Sequence, residues 1–157
     1  MKFTSTMIVV KDMEKSRNFY ENLLNQKVIM DLGANVAYEG FALQTLESWM
    51  EFIGKEEDDI NLLKNNNAEL YFEIDDLDNF INKLKNFNDF KIELVHETME
   101  FPWGQRGIRF YDPDNHIIEV GESLESLVKK FINEGMSEED ISKRTGLPEE
   151  VVMGLKN

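Results

Sequence analysis

The sequence predicts an α+β fold: paired βαβββ modules forming a curved mixed β-sheet cup, with a C-terminal helical extension. Three observations predict it. The order strand, helix, strand, strand, strand occurs twice along the chain. The two copies share a landmark, Val10-x-Asp12-Met13 against Ile74-x-Asp76-Leu77, at an offset of 64 residues. The last stretch, from Leu124 onward, carries its apolar residues at helical rather than strand spacing. The boundaries that follow are a domain over residues 1–122, with modules at about 1–54 and 66–122, and a helical tail over 123–157.

In the first module, residues 3–10 end in the β-rich run Met7-Ile8-Val9-Val10. Asp12 is placed to cap a helix on which Met13, Phe19, Tyr20, Leu23 and Leu24 recur at helical spacing. Residues 27–32 read as a strand ended by Gly33, and 36–38 with 41–46 as a hairpin turned at Glu39-Gly40. Residues 54–67 are polar and read as a linker with one helical turn near 60–63. In the second module, 69–74 is a strand, Asp75-Asp76 caps a helix bearing Leu77, Phe80, Ile81 and Leu84, and 91–96 is a strand. Residues 107–111 and 116–120 are strands joined by Asp112-Pro113-Asp114-Asn115, residue types suited to a tight turn. The tail reads as an amphipathic helix from Leu124 to Ile132, stopped near Gly135, then a capped helix from Ser137, a turn at Thr145-Gly146-Leu147-Pro148 and a last helix.

Composition narrows the function classes. There is no cysteine among the 157 residues, which excludes a thiolate nucleophile, a disulfide scaffold and cysteine-ligated metals. With 17 basic and 31 acidic residues the formal net charge is -14, a field that repels nucleic acid and anionic membranes. No run of residues is long and apolar enough to span a membrane, and the N-terminus has no signal-peptide layout, so a cytoplasmic protein is expected. The two histidines form no catalytic spacing with Ser, Asp or each other.

Strand parity places candidate site residues. If Leu70, Phe72 and Ile74 face the helix, then Glu69, Tyr71 and Glu73 face the other way, toward the cup. Ile118 and Val120 face the helix in the last strand and Glu119 faces the cup. The loop Phe101-Pro102-Trp103-Gly104-Gln105-Arg106 offers an aromatic wall in Trp103 and a bidentate clamp in Arg106. Arg109 is a further ligand contact or a salt-bridge partner of a strand glutamate, and His96 ends a strand ahead of the loop.

The stretch from Gly107 to Val120, with its Asp-Pro-Asp turn and Glu-bearing last strand, resembles the final hairpin of the vicinal oxygen chelate superfamily, also called the glyoxalase/bleomycin resistance/dioxygenase superfamily. The segment from Asp12 to Tyr20, ending Asn18-Phe19-Tyr20, resembles that family's first helix. The resemblance covers residues 1–122 and implies a cup whose four metal-ligand positions fall on Ser5, Gln44, Glu69 and Glu119. Glu119 matches the family, Glu69 and Gln44 are ligand-capable, and Ser5 departs from the usual histidine. Such a set suits one divalent ion of the Mg, Mn or Ca kind rather than Zn or Ni; the other reading is a metal-free cup.

Two functions stay open on these residues. One is a lyase or isomerase acting on a small carbonyl-containing molecule, with Glu119 and Glu69 as catalytic groups, and not a typical glutathione-dependent glyoxalase I. The other is a non-catalytic protein of the bleomycin-resistance type that binds a small-molecule ligand with Tyr71, Trp103, Arg106 and Arg109. A homodimer is expected from the tail's apolar stripe. The tail resembles the first part of a helix-turn-helix, but its second helix opens on Pro148-Glu149-Glu150, which opposes DNA binding.

Overall fold

The computed structural model describes residues 1–156, in two units. The first comprises Met1–Ala68, Phe87–Lys91 and Tyr111–His116; the second comprises Glu69–Asn86, Ile92–Phe110 and 117–156.

In the first unit the strands β1 (Thr6–Val10), β2 (Met30–Asp31), β3 (Asn35–Ala37) and β4 (Phe41–Thr45) form a sheet in the order β1-β4-β3-β2. β1 runs parallel to β4 and the other pairs are antiparallel. Between β1 and β2 lies helix α1 (Met13–Arg17), continued by a π-helical segment, Asn18–Leu23. Asp12 caps α1 by accepting the Lys15 N–H at 3.0 Å, as the sequence predicts. Phe19, Tyr20 and Leu23 are fully buried, and Tyr20 packs its ring against Phe41 and Tyr38. Phe19 meets Phe90.

The turn after Phe110 belongs to this unit and holds two buried acids. Asp112 accepts the Tyr20 hydroxyl at 2.7 Å and the His116 Nδ1–H at 2.8 Å. Asp114 accepts the Lys11 amide and the Ser16 hydroxyl at 3.0 and 3.1 Å. Burial raises the Asp114 pKa against these bonds. Burial pushes His116 down, but the hydrogen bond and charge of Asp112 outweigh it and leave its pKa raised.

In the second unit β5 (Glu69–Ile74), β6 (Leu94–Glu100), β7 (Arg106–Tyr111) and β8 (Ile117–Glu122) form a sheet in the order β5-β8-β7-β6. β5 is parallel to β8, and β6 is antiparallel to β7 with irregular register either side of His96. Helix α3 (Leu77–Lys85), capped by Asp76, buries Leu77, Phe80 and Leu84 and sets Phe80 against Phe110. Alternation along β5 is as the sequence predicts, with Glu69, Tyr71 and Glu73 more exposed than Leu70, Phe72 and Ile74. The unit ends in α4 (Leu124–Asn133), α5 (Glu138–Thr145) and α6 (Glu149–Leu155). Leu127, Val128, Phe131, Ile141 and Val152 form their shared core. The tail's apolar stripe is therefore covered within its own unit and does not by itself call for a second chain.

Four local expectations need correction. The strand read at 27–32 shrinks to Met30–Asp31, an edge pair whose Asp31 carboxylate turns back to the Gly33 amide. The strand read at 41–46 ends at Thr45, and Leu46 opens a helix, α2 (Leu46–Ile53), ended by Gly54 at φ +63°. The helical turn near 60–63 is absent; a 3₁₀ turn, Glu57–Asp59, precedes it, closed by reciprocal bonds of Glu56 and Asp59. The strand read at 91–96 starts later and runs to Glu100, so the loop before β7 spans only 101–105. No helix among the described residues is long and apolar enough to cross a membrane.

Candidate functional site

The candidate site is the face of the β5-β8-β7-β6 sheet opposite α3. Register places Tyr71 of β5 beside Glu119 of β8, and His96 of β6 beside Arg109 of β7. Arg109 organises the centre. Its Nε–H donates to Glu69 Oε2 at 2.8 Å, its Nη2 donates to Glu119 Oε2, and its Nη1 lies 3.3 Å from His96 Nε2. His96 Nδ1 is 2.7 Å from the Glu97 carbonyl, an acceptor only. The ring proton therefore sits on Nδ1, and Nε2 accepts from the guanidinium.

The two carboxylates differ in environment. The Glu69 side chain is 38% exposed, and its bond to Arg109 holds its pKa below the usual carboxylate range. The Glu119 side chain is 8% exposed. Burial pushes its pKa up; the Arg109 charge opposes this and the Glu69 charge adds to it. One acid of the pair is thus biased to stay ionised and the other to keep a proton. Arg109 in turn has its pKa raised by Glu69.

Beside this cluster the loop 101–105 meets β5. The Phe101 and Trp103 rings stack at 4.8 Å, and the Arg109 guanidinium lies 5.3 Å from the Phe101 centroid. Trp103 Nε1–H donates to Gln105 Oε1 at 2.9 Å, and Gln105 Nε2 donates to the Tyr71 hydroxyl at 2.9 Å and to the Glu122 carbonyl at 2.6 Å. The Tyr71 hydroxyl donates to Glu73 at 3.0 Å; burial and Glu73 push its pKa up to about 12. Gly121 lies against this junction: a Cβ there would lie 3.2 Å from the Tyr71 ring and hydroxyl and 3.3 Å from Gln105 Nε2, close enough to push them aside.

The sequence-predicted residues therefore divide. Glu69, Glu119 and Arg109 come together, and Tyr71 and Trp103 join through Gln105. Arg106, expected as a ligand clamp, is held at 2.7 Å by Glu122 and at 3.1 Å by Asp78. Its fork is used within the unit. Gln44 lies in the first unit, buried, accepting from Asn35 and donating to Ser48 at 2.8 and 2.7 Å. Ser5 is exposed and donates to the carbonyl of Thr6. Within the second unit the two expected metal positions, Glu69 and Glu119, are both engaged by the Arg109 guanidinium. Among the described residues no three His, Cys, Asp or Glu side chains are grouped to hold one. Gln105 and Gly121 were missed by sequence reasoning. Parity carried a usable signal for Gly121, which shares the face of Glu119 two residues along β8.

The chain matches a family described as a glyoxalase-like domain over residues 3–125. No curated protein matches it. Among solved structures, a protein of unknown function from Agrobacterium tumefaciens str. C58 is 37% identical, with 79% of this chain and 95% of that chain covered and a TM-score of 0.69. A glyoxalase-related enzyme from Fulvimarina pelagi is 18% identical over 78% of this chain and 88% of that one, with a TM-score of 0.62. The genomically encoded fosfomycin resistance protein FosX from Listeria monocytogenes is 21% identical over 80% and 97%, with a TM-score of 0.59. The last two share the fold alone. Two mixed four-stranded sheets, the Asp-Pro-Asp turn before a Glu-bearing last strand and the match over 3–125 lead to one conclusion: the chain belongs to the glyoxalase-like domain family of the glyoxalase/bleomycin resistance/dioxygenase superfamily.

Proposed function

We propose that this protein binds a small organic molecule on the exposed face of its second sheet without the help of a metal ion. The observation that carries the proposal is Arg109, whose guanidinium bridges Glu69 and Glu119, the two carboxylates a divalent ion would need. Tyr71, opposite Glu119 across the β5–β8 pair, and Trp103, stacked on Phe101, are 46% and 39% exposed and supply apolar ring surface, and Arg109 supplies N–H donors. These features support a ligand with a planar apolar part and hydrogen-bond acceptors. Many members of the superfamily use a divalent ion; this reading sets the chain apart from them.

One observation favours a second, catalytic reading. The raised pKa of Glu119 beside an ionised Glu69 is the arrangement of a general acid–base pair. A proton next to a carbonyl would then move to the ionised Glu69 carboxylate while Glu119 gives its proton to the developing enolate oxygen, with Arg109 beside that charge, as in an isomerase. A homodimer in the cytoplasm belongs to the same proposal. Its contacts would have to come from apolar side chains that stay exposed, such as Ile29, Leu32 and Phe52.

The test is elemental analysis of protein purified without chelator, followed by a thermal-shift screen of small molecules with and without EDTA. We expect no stoichiometric metal and ligand-induced shifts that EDTA leaves unchanged. One divalent ion per chain, lost on Glu119→Gln, would overturn the metal-free reading. Turnover of a hit that Glu119→Gln abolishes would decide for the catalytic one.

A further inference from the structure

We infer that the helical tail is part of the ligand site: Phe131 and Arg144 are positioning residues that hold the loop 101–105, and with it Trp103 and Gln105, against the sheet face. The inference rests on the binding face proposed above and concerns residues beyond the family match, which ends at Glu125.

The loop is closed on itself. Phe101 N–H donates to the Gln105 carbonyl and Gly104 N–H to the Phe101 carbonyl, each at 2.8 Å. Gly104 sits at φ +91°, a conformation that L side chains rarely adopt. It has a second reason to be glycine. A Cβ there would lie 2.4 Å from Phe131 Cζ and 3.1 and 3.2 Å from the Arg144 guanidinium nitrogens. The tail is therefore pressed against the loop's backbone with no room for a methyl group.

The Arg144 guanidinium in turn lies 4.4 Å from the Phe131 ring centroid and reaches Glu100, the residue before the loop, at 3.6 Å. Lys130 reaches the same carboxylate at 3.6 Å. The loop also holds Gln105, which takes the Trp103 indole N–H and donates to the Tyr71 hydroxyl.

The tail can act as a fixed support because it has its own core. Phe131 is fully buried with Leu127, Val128, Ile141 and Val152, and α4 is tied to the sheet end by Ser123, whose hydroxyl donates to Asp75. The chain of contact runs from that core through Phe131 to Gly104 and Gln105, and from Gln105 to Tyr71 and Trp103. Gln105 is the sensitive link. Its oxygen takes the indole N–H while its nitrogen serves Tyr71 and the Glu122 carbonyl, so a shift of the loop breaks bonds on both sides at once.

The experiment uses Trp103 as its own reporter, in full-length protein carrying Trp49→Phe so that one indole remains. Acrylamide quenching and emission maximum are compared in Arg144→Ala, Arg144→Lys, Phe131→Leu and Val152→Ala. Arg144→Ala removes a partly exposed side chain and opens no core cavity, so it keeps the test alive if Phe131→Leu misfolds. We expect Arg144→Ala and Phe131→Leu to raise the quenching constant about two-fold, as a loop released into local opening does. Arg144→Lys should restore most of the parent value. Val152→Ala weakens the tail core away from the loop and should lower overall stability while leaving Trp103 unchanged. Parent-like quenching in both Arg144→Ala and Phe131→Leu overturns the inference. So does an equal change in Val152→Ala, which would mark general loosening. The readout needs no ligand: a parent that binds nothing in the screen sinks the binding reading alone, and the loop result stands apart from it.

Discussion

Replacing Arg109 with methionine tests the centre of the site. The substitution keeps an unbranched side chain on β7 and removes the charge and all its donors. Glu69 and Arg109 are 38% and 25% exposed in their side chains, so that pair is largely screened and worth under about 1 kcal/mol. Glu119 is 8% exposed and would be left as a nearly buried carboxylate without its cation. Breaking a charged hydrogen bond costs about 1.5–3 kcal/mol and stranding a fully buried charge about 3–5. Since Arg109 is itself partly hydrated, the expected loss is about 2 kcal/mol at pH 7.5.

The pH dependence gives the sharper test. Glu119 has a raised folded-state pKa, so the folded state binds more protons than the unfolded state and its contribution to stability falls as pH rises from the unfolded value through the folded one. Glu69 has a lowered pKa and acts in the opposite sense: its stabilisation is present above the unfolded value and lost as pH falls through the folded one. Both trends depend on Arg109. Without it Glu69 loses its stabilised charge and Glu119 moves further up, so the cost of the substitution should grow with pH. Urea unfolding followed by far-UV circular dichroism at pH 5.5, 6.5 and 7.5 measures this. We expect roughly half the pH 7.5 loss at pH 5.5. A loss that is flat with pH, larger at pH 5.5, or below about 0.5 kcal/mol throughout would refute the reasoning.

Further outcomes follow from other contacts. Tyr20→Phe removes a fully buried hydroxyl from Asp112 and should cost about 2 kcal/mol in urea unfolding; under about 0.5 would mean Asp112 is satisfied without it. Gly121→Ala puts a methyl group against Tyr71 and Gln105 and should cost about 1–2 kcal/mol and remove ligand-induced thermal shifts, whereas unchanged shifts would place the ligand elsewhere. His116, with its raised pKa, contributes stability that is present below the unfolded value and lost as pH rises through the folded one. His116→Gln should therefore cost more at pH 6 than at pH 8.5, and the reverse order would show that burial wins over Asp112.

What the sequence disclosed was local or periodic. Asp12, Asp76 and Ser137 announced helix starts because a cap acts within three residues of itself. Glu69, Tyr71 and Glu119 fell on one face because side-chain direction alternates along a strand whatever it pairs with. What stayed hidden depended on partners far along the chain. Asp112 and Asp114 read as turn residues, and their burial depends on Tyr20, Ser16 and Lys11, some hundred positions earlier. Arg106 read as a free clamp because Asp78 lies 28 residues away on α3. Helix α2 was hidden by position: it begins at Leu46 directly after β4 ends at Thr45, with no loop between them, so the helical period of Leu46, Trp49, Met50 and Ile53 was masked by the strand before it.

A guanidinium between two carboxylates changes what a ligand meets. A divalent ion would offer an open coordination position and polarise an oxygen bound there. Arginine offers permanent charge and five N–H donors in one plane. In this site Nε serves Glu69, Nη2 serves Glu119 and Nη1 faces His96, so all three nitrogens are already engaged. A ligand acceptor must use the remaining N–H directions or displace a carboxylate. Displacing Glu69 is the easier course, since it is the more exposed of the two and regains hydration when released, while Glu119 is buried and biased to take up a proton. An anionic or strongly accepting group is thus expected to enter on the Glu69 side of Arg109. On the reading proposed above, the face would then discriminate by hydrogen-bond geometry at Arg109, and any chemistry would fall to proton transfer between Glu69 and Glu119.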